Sequence, residues 1–203
     1  MNVHYIADLH LGGNLYCPPF KSKEHYVKRV IDNINQKCKP DDILMHIGDF
    51  TSYGNVGYTG SDGKRIVTES LRLNGQEYLE QINCQVILTE GNHCEANRTK
   101  AHLVTSFVSL GSKLTAFLSH YPSDSDKNVL FYPVQKWYKL VECASIISHA
   151  CICGHVHNAP KIRYDKRLGY VNINVSAQAR NFMPVSTAEL VKEYEDFIKI
   201  PRK

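Results

Sequence analysis

The chain reads as an α/β protein of mixed β-sheet packed against helices, and three observations predict it. Short apolar runs alternate with amphipathic stretches of helical period along most of the 203 residues. The first two apolar runs are joined through an amphipathic stretch, in the order of a βαβ unit, so the sheet starts parallel. Near the C-terminal end two strand-like runs flank Lys166-Arg167-Leu168-Gly169, a hairpin signal that adds antiparallel pairing.

Residues 3–7 are an apolar run that ends at Asp8, the pattern of a buried strand. Residues 22–38 follow as a helix, with Val27, Val30, Ile31 and Ile34 at i, i+3, i+4 and i+7 on one stripe, and Lys39-Pro40-Asp41-Asp42 stops it. Residues 43–47 form the second strand and deliver Gly48-Asp49. Residues 51–63, rich in Gly, Tyr, Ser and Asn, read as an exposed loop. Residues 67–81 read as a helix interrupted at Gly75, and residues 85–89 as a third strand leading to Gly91-Asn92-His93. The periodicity predicts a helix over 95–110 that stops at Gly111. A strand over 114–119 ends at His120, and Tyr121-Pro122 opens a loop through residue 127. A helix over 134–144 precedes a buried strand over 146–153 that delivers Gly154-His155. Runs 161–165 and 170–175 make the hairpin. The last helix opens with Ser186-Thr187-Ala188-Glu189, a capping box, and buries Leu190, Val191, Tyr194, Phe197 and Ile198.

The length fits a single domain over residues 1–203. Hydrophobic content of 43% and charged content of 22% are ordinary for a soluble globular chain. The net charge of +4 is too small to argue for nucleic-acid binding. No clear nucleic-acid-binding module and no apolar run long enough to span a bilayer is visible, and no secretory signal precedes the first strand. Seven cysteines form an odd set without the spacing of a disulfide scaffold or zinc knuckle, which reads as free thiols in a reducing cytoplasm.

Five motifs carry the chemistry: Asp8-Leu9-His10, Gly48-Asp49, Gly91-Asn92-His93, the lone His120 and Gly154-His155-Val156-His157. Each follows a strand-like run, and ligands bind at the C-terminal ends of strands in α/β sheets. Asp8, His10, Asp49, Asn92, His120, His155 and His157 are hard or borderline donors with no thiolate among them. Such a set suits Mn, Fe, Zn, Ni or Co. Seven donors with one shared carboxylate supply two divalent cations, each with room left for water and phosphate. Asp-x-His and Gly-Asp are weak signals alone, because Asp is a favoured turn residue. Gly-Asn-His and Gly-His-x-His are stronger, since a glycine beside imidazoles allows close approach to a metal. His4, His46 and His149 fall in strands near the motifs, where a ligand-supporting or satisfied core role is expected in preference to ligation.

In this order the motifs resemble the calcineurin-like metallophosphoesterases, most closely a small bacterial and phage-type subgroup. Asp8-Leu9-His10-Leu11-Gly12, Pro40-Asp41-Asp42, Ser119-His120-Tyr121-Pro122, Asn174-Val175-Ser176 and the run from Asn181 to Ser186 carry that further likeness. The resemblance implies an αββα sandwich of two mixed β-sheets flanked by helices. It implies that Asp8, His10 and His157 hold one ion, that Asn92, His120 and His155 hold a second, and that Asp49 bridges them. It implies two divalent ions, manganese foremost, and in-line attack of an activated water on phosphorus. His93 is then the catalytic residue at the leaving oxygen. The expected partner is a small phosphate ester, a phosphodiester or nucleotide in preference to a monoester. Two departures stand out. Gly48-Asp49-Phe50-Thr51-Ser52-Tyr53-Gly54 lacks the second Asp and the Arg of the protein phosphatases, and Cys94 replaces the acid that usually follows Gly-Asn-His. Arg98, Arg163 and Arg180 are candidate phosphate clamps, each weighed against a solvated surface charge. A non-catalytic scaffold would have no reason to retain the full donor set.

Overall fold

A computed structural model describes residues 1–13, 20–51, 57–59, 65–67, 75–89, 91, 106–112, 114–125 and 134–200. In chain order the elements are β1 (Val3–Ile6), α1 (Lys23–Lys37), β2 (Ile43–Ile47), β3 (Gly57–Thr59), β4 (Arg65–Val67), α2 (Gly75–Leu79), β5 (Gln85–Thr89), β6 (Ser106–Leu110), β7 (Leu114–Ser119), α3 (Val134–Ile147), β8 (Ala150–Cys153), β9 (Ile162–Asp165), β10 (Tyr170–Asn174), β11 (Val185–Ser186) and α4 (Thr187–Ile198).

Two mixed sheets form from these strands. The first has the order β11-β1-β2-β5 and the second β6-β7-β8-β10-β9. β1, β2 and β5 are parallel, as are β7, β8 and β10, while β11, β6 and β9 run antiparallel to their neighbours. Side chains alternate across each strand. Tyr5, Ala7, Met45 and Ile47 of the first sheet meet Ala116, Leu118, Ile152 and Ile173 of the second in one core. The opposite face of the first sheet, with Ile6, Leu44 and Leu88, packs on Tyr26, Val30, Ile31 and Ile34 of α1. The opposite face of the second sheet, with Phe117, Cys151 and Tyr170, packs on Val141 and Ala144 of α3. Helix, sheet, sheet and helix are therefore stacked in the expected sandwich. The short β3–β4 hairpin lies outside both sheets.

α1 forms because its apolar spacing supplies a stripe and Ser22 caps it, accepting from the His25 N–H. α4 has the expected capping box, in which Ser186 accepts from the Glu189 N–H while the Glu189 carboxylate accepts from the Ser186 N–H. Ile198, however, is 47% exposed and falls outside the buried stripe.

Four further boundaries differ from the sequence expectation. Residues 106–110 are strand, paired antiparallel with β7, so the helix expected to run through Leu110 does not. Val108 and Leu110 face the inter-sheet core with period two, and Gly111 makes the turn into β7 with φ +72°. The remainder of that expected helix lies outside the described residues. α3 continues through Ile147, and the strand expected from 146 starts at Ala150, leaving Ile146 and Ile147 exposed on the last helical turn. The helix expected over 67–81 is described only at Gly75–Leu79, and Val67 ends a strand. The loop expected over 51–63 contains β3, and Thr51 is fully buried in a bridge with Leu11. No helix among the described residues is long and apolar enough to cross a membrane.

Candidate metal centre

The two sheets converge at the C-terminal ends of their parallel strands. Beyond β1, Ala7 donates its N–H to the Val175 carbonyl and accepts from the Ala177 N–H, so the first sheet is stitched to the segment that follows β10. The Val175 N–H in turn bonds the Cys153 carbonyl, and the Gly154 N–H bonds the His120 carbonyl. Alongside, Asp8 N–H meets the Gly48 carbonyl and His10 N–H meets the Asp49 carbonyl, which holds the Asp-x-His and Gly-Asp turns side by side.

Convergence explains two of the motif glycines. A Cβ on Gly154 would lie 2.6 Å from the Ala7 Cβ, 2.8 Å from Asp8 Oδ2 and 3.1 Å from the Ile47 carbonyl oxygen. A Cβ on Gly91 would lie 2.3 Å from Asp49 Oδ1 and 2.6 Å from its backbone nitrogen. These glycines keep clear the space that two buried carboxylates occupy. The motif turns are also strained. Asp8, His10, Asp49, His155 and His157 have φ of 58°, 44°, 59°, 68° and 35°. Left-handed backbone at a non-glycine residue costs of order 1–3 kcal/mol and collects at functional sites.

Among the described residues two donor sets result, each with its atoms within 4.8 Å of one another: Asp8, His10 and His157, and Asp8, Asp49 and His120. Asp8, His10, Asp49 and His120 are buried, and His157 is half-buried. Asp49 Oδ2, in the second set, also lies 3.7 Å from His10 Nε2 of the first, against 3.3 Å from His120 Nε2. The His10 and His157 rings are stacked with centroids 5.2 Å apart. His155 stands beside His120, ring centroids 5.2 Å apart, but belongs to neither set. Asn92 and His93 lie outside the described residues.

Electrostatics fit a cation site. Burial pushes the Asp8 carboxyl above the usual range, against the lowering pull of His120, His157 and the Ser176 hydroxyl. Burial also disfavours a charged His120, yet its hydrogen bond with Asp49 and the charges of Asp8 and Asp49 raise it above the ordinary histidine value. His120 Nδ1 lies 3.2 Å from the Ile47 carbonyl oxygen. A carbonyl only accepts, so the proton sits on Nδ1, and Nε2 is the nitrogen left to ligate. Two buried carboxylates and several imidazoles, with glycine-cleared space around them, form a donor set that divalent cations suit.

Other candidates resolve differently. Arg180 is buried, with Nε donating to the Asn174 carbonyl and Nη1 to both oxygens of Glu193, so it is no clamp for phosphate. Arg163 pairs with Asp124 at 2.5 Å. Arg98 and Cys94 lie outside the described residues. Cys153 is a fully buried filler in the α3-side core. His4 Nε2 donates to the Asp42 carboxylate across 3.3 Å. His46 is fully buried against the Phe50 ring, and among the described residues neither of its nitrogens has a hydrogen-bond partner, where a ligand-supporting or satisfied core histidine was expected. Sequence reasoning gave no role to Ser176 and Asn174, although the structure brings both against the donor set. An Asn-x-Ser after a strand paired to the one carrying Gly-His-x-His was the available signal.

A two-sheet sandwich with buried carboxylates and imidazoles at the ends of its parallel strands frames a candidate divalent-metal site. The sequence matches the family model of the calcineurin-like phosphoesterases over residues 1–167, and the chain belongs to that family. A comparison with curated proteins finds no match. Among solved structures, a protein of unknown function from Aquifex aeolicus is similar, at 19% identity and TM-score 0.60 over 95% of this chain and 98% of that one. That likeness shows the fold. Vps29 from Chaetomium thermophilum is 12% identical with TM-score 0.43, over 87% of this chain and 69% of that one. A conserved uncharacterized protein from Streptococcus pneumoniae TIGR4, described as a predicted phosphoesterase, is 18% identical with TM-score 0.36, over 85% and 70%.

Proposed function

We propose that this chain is a dinuclear metal-dependent phosphoesterase acting on a small phosphodiester or nucleotide-type substrate. The observation that carries the reading is the position of Asp49 Oδ2 between His10 and His120, next to two donor sets that share Asp8. Asp8, His10 and His157 would hold one ion, His120 with Asn92 and His155 the other, and Asp49 would serve both. Bound there, divalent ions supply an acidified water near neutral pH and positive charge for the phosphate oxygens. His120, with its Nδ1 proton fixed on the Ile47 carbonyl, presents Nε2 in one orientation. His93, next to the donor Asn92 in the chain, is assigned the proton delivered to the leaving oxygen.

The preference for a diester rests on the residues after Asp49. Phe50 and Thr51 are buried, at 2% and 0% exposure, where the protein phosphatases continue toward an acid and an arginine. Two of the candidate phosphate clamps, Arg163 and Arg180, are engaged by Asp124 and Glu193. Free thiols at Cys38, Cys84, Cys143, Cys151 and Cys153 support a reducing compartment such as the cytoplasm. Hydrolysis of bis-p-nitrophenyl phosphate and p-nitrophenyl phosphate in Mn²⁺ tests the substrate class. The diester is expected to turn over faster, and faster monoester turnover would overturn the class while leaving the metal centre intact.

A further inference from the structure

Asp8 is held from behind by a residue outside the five donor motifs. The hydroxyl of Ser176, fully buried, donates to Asp8 Oδ2 at 2.5 Å. The His155 N–H donates to both oxygens, at 2.8 Å to Oδ2 and 3.1 Å to Oδ1. A carboxylate oxygen accepts along about two lone-pair directions, so these two donors occupy Oδ2. Oδ1 takes only the longer share of the His155 N–H and lies 3.8 Å from His120 Nδ1. The last torsion of an aspartate is broad, so without the hydroxyl only the shared His155 N–H holds the carboxylate's orientation.

Asn174 holds the other end of the same set. Its Oδ1 accepts from the Ser176 N–H at 3.0 Å, and its Nδ2 donates to the Ala159 carbonyl at 3.1 Å and the His157 carbonyl at 3.4 Å. One buried amide therefore fixes both the residue behind Asp8 and the strained turn that carries His157. The His157 ring stacks on that of His10, so its aim bears on the third donor too. Asn174 is itself locked, because Arg180 Nε donates to its carbonyl at 2.7 Å and Arg180 is paired with Glu193 of α4.

We propose that Ser176 and Asn174 are positioning residues for the cation held by Asp8, His10 and His157, acting through Asp8 Oδ2 and the His157 carbonyl. The assignment rests on the metal-centre reading above. Partners of this kind orient ligands and cost roughly 10–100-fold in metal affinity when removed.

The test is calorimetric titration of chelator-stripped protein with Mn²⁺, with thermal unfolding of each metal-free form alongside. Ser176→Ala is expected to weaken Mn²⁺ at one site by roughly 10–100-fold in protein that is still folded. Asn174→Ala weakens the same site, and Ser176→Thr, which keeps the hydroxyl, restores affinity. A purely structural role would lower the unfolding temperature and leave the affinity of folded protein unchanged. Wild-type Mn²⁺ affinity in folded Ser176→Ala overturns the assignment, and so does wild-type affinity in Asn174→Ala should the serine variant not fold. Wild-type protein that binds no Mn²⁺ would overturn the metal-centre reading itself, an outcome visible before any variant is made.

Discussion

Gly154 shows how a motif residue is fixed by crowding. Its missing Cβ would meet both Ala7 and Asp8, so Gly154→Ala must push the sheets apart or displace the carboxylate. Overpacking of this kind costs about 1–3 kcal/mol. Denaturant unfolding should show that loss together with weakened Mn²⁺ binding, and a variant with unchanged stability and affinity would refute the close approach. His46 carries a second residue-scale prediction. Burial in an apolar site holds its imidazole down at about 3, far below the ordinary value of about 6.5. The folded protein therefore refuses a proton that the unfolded chain accepts. Stability is thus complete above about pH 6.5 and falls as pH drops toward 3, by up to about 1.4 kcal/mol per unit from this group. In metal-free protein, His46→Leu should flatten the fall in unfolding free energy over that window by about one proton, and equal slopes would contradict it.

At the scale of elements, the strands that precede the motifs were legible because apolar runs ended abruptly in Gly, Asp or His. Helix α1 was legible from its stripe and α4 from its capping box. Ser186→Ala should cost about 1 kcal/mol in urea unfolding, since it removes the cap of α4. A change within error would mean that tertiary packing alone sets that helix start. Residues 106–110 were misread because five residues of alternation are too few to outweigh a helical stripe drawn over a longer window, and sheet pairing with β7 decided the matter. Ile146 and Ile147 looked like a buried strand start, yet both end α3 in solvent. Asn-x-Ser was visible as a pattern, but the Ser176–Asp8 bond was not, because its partners are 168 residues apart and meet only once both sheets have formed. The donor residues were readable as types and order. Their left-handed backbone and their sharing of Asp8 were properties of the folded turns.

The whole molecule places its chemistry where two mixed sheets, divergent enough elsewhere to hold a full apolar core, are drawn together by backbone bonds through Ala7, Val175 and Gly154. The same convergence buries Asp8 and Asp49, and burial makes their negative charge costly unless cations accept it. His93→Ala should keep the metal content of the wild type while turnover slows, and metal loss in that variant would show that its role is ligation. Asp49 matters most to the proposed centre, because it faces both His10 and His120. Metal content per chain after equilibrium dialysis against Mn²⁺, measured for wild type and Asp49→Ala together with phosphodiester hydrolysis, tests that claim most directly. A dinuclear centre bridged by Asp49 predicts two ions per wild-type chain, and joint loss of the ions and the activity in Asp49→Ala. A wild-type chain without bound metal, or an Asp49→Ala protein with two ions and a near-normal rate, would contradict it.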